Sequence, residues 1–433
     1  MNREQVQELA LNALIENNGG TIVLSPGTGK SKVAIDFIKY KKAKKVLITS
    51  PRTNLKQSWE DELEKWKILH HSDDAYNYRH NHMTKSINIT LENIQTCYKW
   101  SNDKISEYDL IIMDEIHTMA TEEYGKLAIK VKRLNITTIG LTGTPDDKKY
   151  DKFAFYARYC PIVYRYEDSS KHGIINKRNY IIYEHELDNS FEVEVKTKNK
   201  SWKTGEKKQY DYIESKIKEG ENLIRKCFDV DEDDYIDYFS HAKSWYWNGN
   251  GNTEQKKAGG TYMRAISARK DLLWSLNSTN AIASIIAEYI LDNTNDKILI
   301  FSERTDQTSR ISKYTVHSKN NAETNKQNLY AFDNGFVRQL GSCYSLTLGL
   351  NLIGTKYAIM ESYNSSDVQF KQRSGRVDRL PVDENAIVIF IVVKNTQCEK
   401  WFNEAVKFDI NDKVITVNNM EDLVNALNTL NNE

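Results

Sequence analysis

Two series of short β-branched runs, each alternating with helical patterns, constrain this chain more than any other feature. The first series occupies residues 21–24, 45–50, 87–90, 109–114 and 136–141. The second occupies residues 297–302, 314–318, 337–342, 357–361 and 386–393. Their apolar character is nearly continuous, where a strand with one wet face would alternate. Such runs predict strands of a parallel sheet covered on both faces. Helical patterns supply the crossovers, as at residues 32–40, where Val33, Ala34, Phe37 and Ile38 share one face. The chain is therefore expected to be α/β, with two tandem doubly wound parallel-sheet domains. Its 433 residues suit two or three domains.

The middle differs. After a strand-like run at residues 180–187 comes a lysine-rich polar stretch, then an acidic run at 229–234, then a glycine/asparagine turn at 248–252. Trp202, Trp245, Trp247 and Trp274 fall in this region. Aromatics beside lysines can stack bases, but large aromatics more often build cores. The expectation is a linker strand and a mainly helical insertion at 166–277. The first domain is placed at 1–165, and the second, with a C-terminal helix, at 278–433.

Composition excludes some classes. Lysine plus arginine and aspartate plus glutamate are both 60, a formal net charge of zero, so bulk charge does not hold the chain on nucleic acid. The longest apolar run, residues 386–393, falls far short of the ~20 residues of a membrane helix. Cys97, Cys160, Cys227, Cys343 and Cys398 are scattered, with no CxxC pair. This reads as a reduced, cytoplasmic chain without a zinc site, disulfide framework or membrane contact.

The chemistry concentrates at the ends of the runs. Leu24-Ser25-Pro26-Gly27-Thr28-Gly29-Lys30-Ser31 follows the first strand and opens a helix. Glycines let backbone amides turn towards phosphates, and the helix N-terminus adds a favourable dipole. Lys30 would reach the β and γ phosphates of a nucleotide, and Ser31 would hold Mg2+. The strict phosphate-loop pattern fails at Leu24, where a glycine is usual. Residues 109–113 lead into Asp114-Glu115-Ile116-His117. An aspartate there can hold Mg2+, and the next glutamate can orient and deprotonate water. Leu141-Thr142-Gly143-Thr144-Pro145 closes the next strand, and its hydroxyls can relay contacts between two ligands. In the second series, Gln372-Arg373-Ser374-Gly375-Arg376-Val377-Asp378-Arg379 repeats arginine every third residue, which on a helix gathers cations on one face. Arginine forks onto phosphate oxygens and suits an arginine finger.

Taken in order, these elements resemble a superfamily 2 helicase of the DExH type over nearly all the chain except the middle. Residues 24–31 resemble motif I, 114–117 motif II, 141–145 motif III and 372–379 motif VI. That family commonly lacks the first glycine of motif I. Weaker likenesses are Ser50-Pro51-Arg52-Thr53-Asn54-Leu55 and then Trp59 to motif Ia, Ile89-Thr90 and Asn93 to motif Ib, and Phe301-Ser302-Glu303-Arg304 to motif IV. Ser342 with Gly349-Leu350-Asn351-Leu352 is similar to motif V. Gln7 resembles the adenine-reading glutamine, with Gln5 competing for that place.

The resemblance implies two RecA-like domains with ATP and Mg2+ between them. Lys30, Asp114 and Glu115 would come from the first domain, and Gln372, Arg376 and Arg379 from the second. Gln7, Pro26, Gly27, Thr28, Gly29, Lys30, Ser31, Gly349 and Asn351 would bind the nucleotide, with Ser31 and Asp114 on the metal. Pro51, Arg52, Thr90, Asn93, Ser302 and Ser342 would contact nucleic acid. His117, Thr142 and Thr144 would couple the two sites. The compact length and the Gly349-Leu350-Asn351 stretch resemble phage recombination and branch-migration helicases, with restriction-type translocases as close relatives. The activity expected is ATP-dependent DNA translocation or remodelling. An RNA helicase is the nearest alternative, and an ATP-dependent switch subunit, with residues 190–277 as a partner surface, is the third. DNA is expected over RNA, since no RRM signature is present. A monomer is expected.

Overall fold

The structure, a computed structural model, describes residues 1–51, 54–66, 70–71, 87–167, 173–196, 200–228, 235–343, 352, 354–377, 380–381, 383–406, 408 and 412–431. Sixteen strands are described. They are β1 Gly20–Leu24, β2 Lys45–Ser50, β3 His70–His71, β4 Ile87–Asn93, β5 Leu110–Asp114, β6 Thr137–Thr142, β7 Ile162–Tyr166 and β8 Lys177–His185. After these come β9 Glu192–Lys196, β10 Ser201–Gly205, β11 Lys297–Ser302, β12 Thr315–Val316, β13 Gln339–Cys343, β14 Thr355–Met360, β15 Asn385–Val393 and β16 Lys413–Val417. The first sheet runs β3-β4-β2-β5-β6-β1-β7 and the second β12-β13-β11-β14-β15-β8-β16. Every pairing in both is parallel.

Burial on both faces explains the unbroken apolar runs. In β5, Leu110 and Ile112 join a cluster with Val6, Val33 and Trp59, while Ile111 and Met113 join another with Ile105 and Leu127. In β15, Ala386, Val388, Phe390 and Val392 face one cluster, and Ile387, Ile389 and Ile391 face the other. Successive side chains point to opposite faces, so each strand feeds two cores and cannot alternate apolar with polar.

β3, β7 and β16 lie outside the expected runs, and two further features depart from the sequence expectation. The run at 180–187 was expected to be a linker strand beside the insertion. Instead β8 lies inside the second sheet, pairing with β15 from Lys177↔Asn385 to His185↔Val393 and with β16 on its other edge. Its buried run, Asn179 to Tyr183, needs cover on both faces, and that sheet provides it. The helical region therefore interrupts the second sheet in sequence. It also carries an antiparallel pair, β9 with β10, that no turn signal announced.

The helices Glu206–Arg225, Tyr238–Tyr246 and Thr253–Leu273 enclose a separate core containing Tyr210, Ile213, Ile217, Trp245 and Tyr262. Trp245 is buried, and Trp274 donates its indole N–H to Tyr363 O at 2.9 Å. Trp202 and Trp247 are exposed. The acidic run at 229–234 lies outside the described residues. Among the described residues, no helix is long and apolar enough to cross a membrane.

Candidate active site

All strands of each sheet run the same way, so their carboxyl ends share one edge, where ligands of open α/β sheets bind. β1 ends at Leu24, and the loop after it turns through Gly27 (φ 78°) and Gly29 (φ 97°), values that favour glycine. The Lys30–Lys41 helix starts immediately after Gly29, so its first amides face the loop. Gln7 donates from Nε2 to Thr28 O at 2.8 Å. Gln5 instead closes a capping box with Asn2, which separates the two competing glutamines. A Cβ on Gly29 would lie 2.3 Å from Gln7 Nε2. Lys30 donates from Nζ to Leu24 O at 3.3 Å, and a Cβ on Gly143 would come 3.3 Å from that Nζ.

β5 delivers the acidic pair. Asp114 accepts from Glu115 N on Oδ1 and from Trp59 Nε1 on Oδ2, both at 3.0 Å. Glu115 adopts φ 48°, a left-handed backbone rare outside glycine. Its Oε2 lies 3.3 Å from His117 Nδ1. That nitrogen is 3.0 Å from Thr142 Oγ1, which accepts from Thr144 N at 3.0 Å. His117, Thr142 and Thr144 thus form one polar chain leading from Glu115. Lys152, which sequence reasoning missed, donates from Nζ to His117 O at 2.6 Å.

The two carboxyls diverge. Burial pushes Asp114 up to about 6, and the neighbouring Glu115 charge adds to this against the pull of Trp59 and Lys30. Burial raises Glu115 too, but the His117 contact and the charges of Lys30 and Arg376 outweigh it and hold that carboxyl below its ordinary value. Of the two, Glu115 is the carboxyl whose surroundings favour the anion more strongly.

The second domain closes the site. A cleft of about 570 Å3 is lined by Gln7, Lys30, Asp114 and Glu115 from one side and by Gln372 and Arg376 from the other. Pro26, Gly27, Gly29, Ser31 and Thr144 also line it, while Thr28 is buried. The expectation of three arginines on one face is corrected. The helix Asp367–Ser374 ends before Arg376, which sits in a tighter turn at Gly375–Val377. Three-residue spacing across a helix end does not preserve a face. Arg373 turns inward at 1% exposure, donating from Nη2 to Glu303 Oε1 at 2.7 Å and from Nη1 to Ser362 O at 3.0 Å. Arg379, Gly349, Asn351 and Arg52 lie outside the described residues.

The expected nucleic-acid contacts separate into two kinds. Pro51 follows β2 and Asn93 ends β4, with Ser50 paired to Asn93, and Gln95 donates from Nε2 to Pro51 O at 2.8 Å. These mark one carboxyl edge. Thr90 sits mid-strand and accepts from Tyr108 OH at 3.1 Å. Ser302 and Ser342, near the ends of β11 and β13, are buried at 0% and 1% exposure.

Comparison with known proteins identifies the arrangement. The model for the type III restriction enzyme res subunit matches residues 1–147, and that for the helicase conserved C-terminal domain matches residues 280–381. The chain belongs to helicase superfamily 2. Such domains hydrolyse nucleoside triphosphates, so this helicase-family chain is an enzyme of that class. It is 25% identical over 402 residues to the DNA 3'-5' translocase XPB2 of Sulfurisphaera tokodaii, covering 90% of this chain and 81% of that protein. The structure of S. cerevisiae Dbp5 bound to RNA and ADP BeF3 superimposes with a TM-score of 0.56 at 12% identity, over 98% of this chain and 93% of that one. The helicase domain of Pyrococcus furiosus Hef gives a TM-score of 0.50 at 14% identity, over 92% and 97%. These likenesses show tandem RecA-like domains.

The family implies ATP, and the residues fit it and its metal. Gly29 holds a left-handed φ of 97° that disfavours a side chain, and a Cβ there would press on the Gln7 amide. Thr144 Oγ1 is buried without a hydrogen-bond partner beside the cleft. A half-buried carboxylate with a serine hydroxyl is the hard oxygen donor set that Mg2+ takes when it keeps most of its waters. Asp114 and Ser31 would hold the ion, and it would supply charge neutralisation at the phosphates.

Proposed function

We propose that this helicase-family chain is an ATP-dependent DNA translocase or helicase that couples ATP hydrolysis to movement along, or remodelling of, DNA. The observation that carries the reading is the shared cleft. Lys30, Asp114 and Glu115 come from the first domain, and Gln372 and Arg376 come from the second. A site completed by two domains can couple nucleotide state to domain closure. Similarity to a DNA translocase over 90% of the chain supports DNA.

The roles follow from position. Lys30 neutralises the β and γ phosphates at the loop mouth. Glu115, held anionic, orients the attacking water and accepts its proton. Arg376 and Arg379 meet the charge that develops on the transferred phosphoryl group, with Gln372 beside it. Gln7 reads the adenine. The chain from Glu115 through His117 to Thr142 and Thr144 reports the state of the γ-phosphate across the ends of β5 and β6. Pro51, Arg52 and Asn93 meet the strand.

The test is the ATPase rate with no nucleic acid, single-stranded DNA, duplex DNA, a four-way junction and RNA. Stimulation by DNA forms is expected, strongest with the branched one if the recombination-type likeness holds. Stimulation by RNA alone would overturn DNA as the track. A low rate across the panel would replace translocation with a partner-dependent switch.

A further inference from the structure

Both oxygens of the Asp114 carboxylate are held from outside the phosphate loop. Oδ1 accepts from the Glu115 amide and Oδ2 from the Trp59 indole, each at 3.0 Å. A carboxylate offers about four lone-pair positions, so two remain free to face the cleft. The indole has little choice of partner. Trp59 is 3% exposed, and its ring belongs to the same buried cluster as Leu63, Ile48 and Ile112. An indole is a donor only, and one buried without an acceptor is costly. Trp59 and the carboxylate are thereby tied to move together.

The helix that carries Trp59 connects two regions. Asn54–Lys65 begins three residues after Pro51, at the edge of β2 assigned to strand contact. Just past its other end, Trp66 donates from Nε1 to Glu62 Oε2 at 2.9 Å, and Lys32 Nζ lies 4.7 Å from the Trp66 ring centre. Lys32 belongs to the helix that the phosphate loop opens. With one end beside the loop helix and the other three residues from Pro51 in sequence, a shift of this helix moves the Trp59 indole against Asp114.

We propose that Trp59 is a positioning residue that sets the Asp114 carboxylate from the Asn54–Lys65 helix, so that strand contact at Pro51 is registered at the metal-holding oxygens. The strand half of this statement rests on the translocase reading; the hydrogen-bond half does not.

The test uses the full chain with Trp59→Phe, which keeps an aromatic ring and removes the N–H. Mg2+ is titrated into protein with a fluorescent ADP, a measurement that needs no turnover. The Mg2+ midpoint is expected to rise by about 10–100-fold, as when a partner that orients a metal ligand is lost. DNA affinity by anisotropy is expected to stay at the wild-type value, while the ratio of DNA-stimulated to basal ATPase falls. Trp59→His, which returns an N–H to the ring, recovers part of the Mg2+ shift if the bond is the cause. Packing alone predicts no recovery. A Trp59→Phe chain with the wild-type midpoint overturns the positioning role. A shifted midpoint with unchanged stimulation overturns the strand coupling. A wild type that DNA does not stimulate overturns that coupling together with the translocase reading, and the Mg2+ titration still decides the hydrogen bond.

Discussion

Asp114 and Glu115 are adjacent carboxylates whose surroundings drive them apart. Asp114 is raised to about 6 by burial, and Glu115 is kept low by His117, Lys30 and Arg376. Glu115→Gln removes the proposed proton acceptor and keeps the shape. Fluorescent-ATP binding should persist while steady-state turnover falls by about 10²–10⁴-fold, the usual contribution of a positioned base. A wild-type turnover rate would reassign the base. Away from the cleft, Glu361 is buried at 2% exposure, and burial pushes its carboxyl up to about 7 although Ser362 Oγ donates to Oε2 at 2.6 Å. The folded chain therefore holds a proton that the unfolded chain releases near its ordinary, lower value. Stability should fall as pH rises through that window. Glu361→Gln should remove roughly 2–3 kcal/mol of the loss between pH 5 and pH 8, since each tenfold difference in proton affinity between the folded and unfolded chain is worth about 1.4 kcal/mol. Urea unfolding of both chains at the two pH values checks this, and parallel pH profiles would refute it. At this scale the sequence was informative where a residue type and a strand end coincide, as at Lys30 and Asp114. It was silent where direction matters. Arg373 reads like its neighbours in a basic repeat, yet from inside the Asp367–Ser374 helix it turns inward to Glu303, while Arg376 lies past the helix end and faces the cleft.

Elements that were legible owe it to their apolar runs, and elements that were not depend on distant partners. The strand expected at 297–302 matches β11 residue for residue, because a run buried on both faces marks its own limits. β8 reads as a strand from its own residues, but nothing in those nine residues states that its partner begins at Asn385. The β9–β10 pair is exposed along much of its length and so lacks a strong pattern. The same dependence on distant partners shows in helix capping. The Asn277–Asn293 helix has no side-chain cap of its own at Leu276. Its first amides are served by Glu206, which accepts from Asn277 N at 2.6 Å, from Ser278 N at 3.2 Å and from Ser278 Oγ at 2.5 Å. Glu206 also opens the first helix of the inserted region, so one carboxylate joins that region to the second sheet's helical layer. Glu206→Ala leaves buried donors unpaired and should cost about 1–3 kcal/mol. Thermal or urea unfolding measures it, and an unchanged midpoint would show that water serves those amides instead.

Across the whole molecule, the two sheets gain a joint function only where their carboxyl edges meet. The first domain alone holds the loop, the acidic pair and the polar chain to Thr144. What it lacks is positive charge on the far side of the cleft, and Arg376 brings that from the turn after the Asp367–Ser374 helix. Arg376 is 8% exposed and helps hold the Glu115 carboxyl low, so its charge is felt at the proposed base. Arg376→Ala should therefore lower kcat by about 10²–10³-fold, the usual cost of removing one preorganised electrostatic group. Nucleotide affinity should change far less, because Lys30, the loop amides and Gln7 all belong to the first domain. The pH profile of the residual activity should also move. Without Arg376 the Glu115 carboxyl rises towards its ordinary value, so the acid limb of kcat shifts to higher pH. Stopped-flow nucleotide binding together with kcat measured against pH separates these effects. An Arg376→Ala chain that loses nucleotide affinity in proportion to kcat would show that the arginine binds the ground state and that closure of the second domain adds nothing to the chemical step.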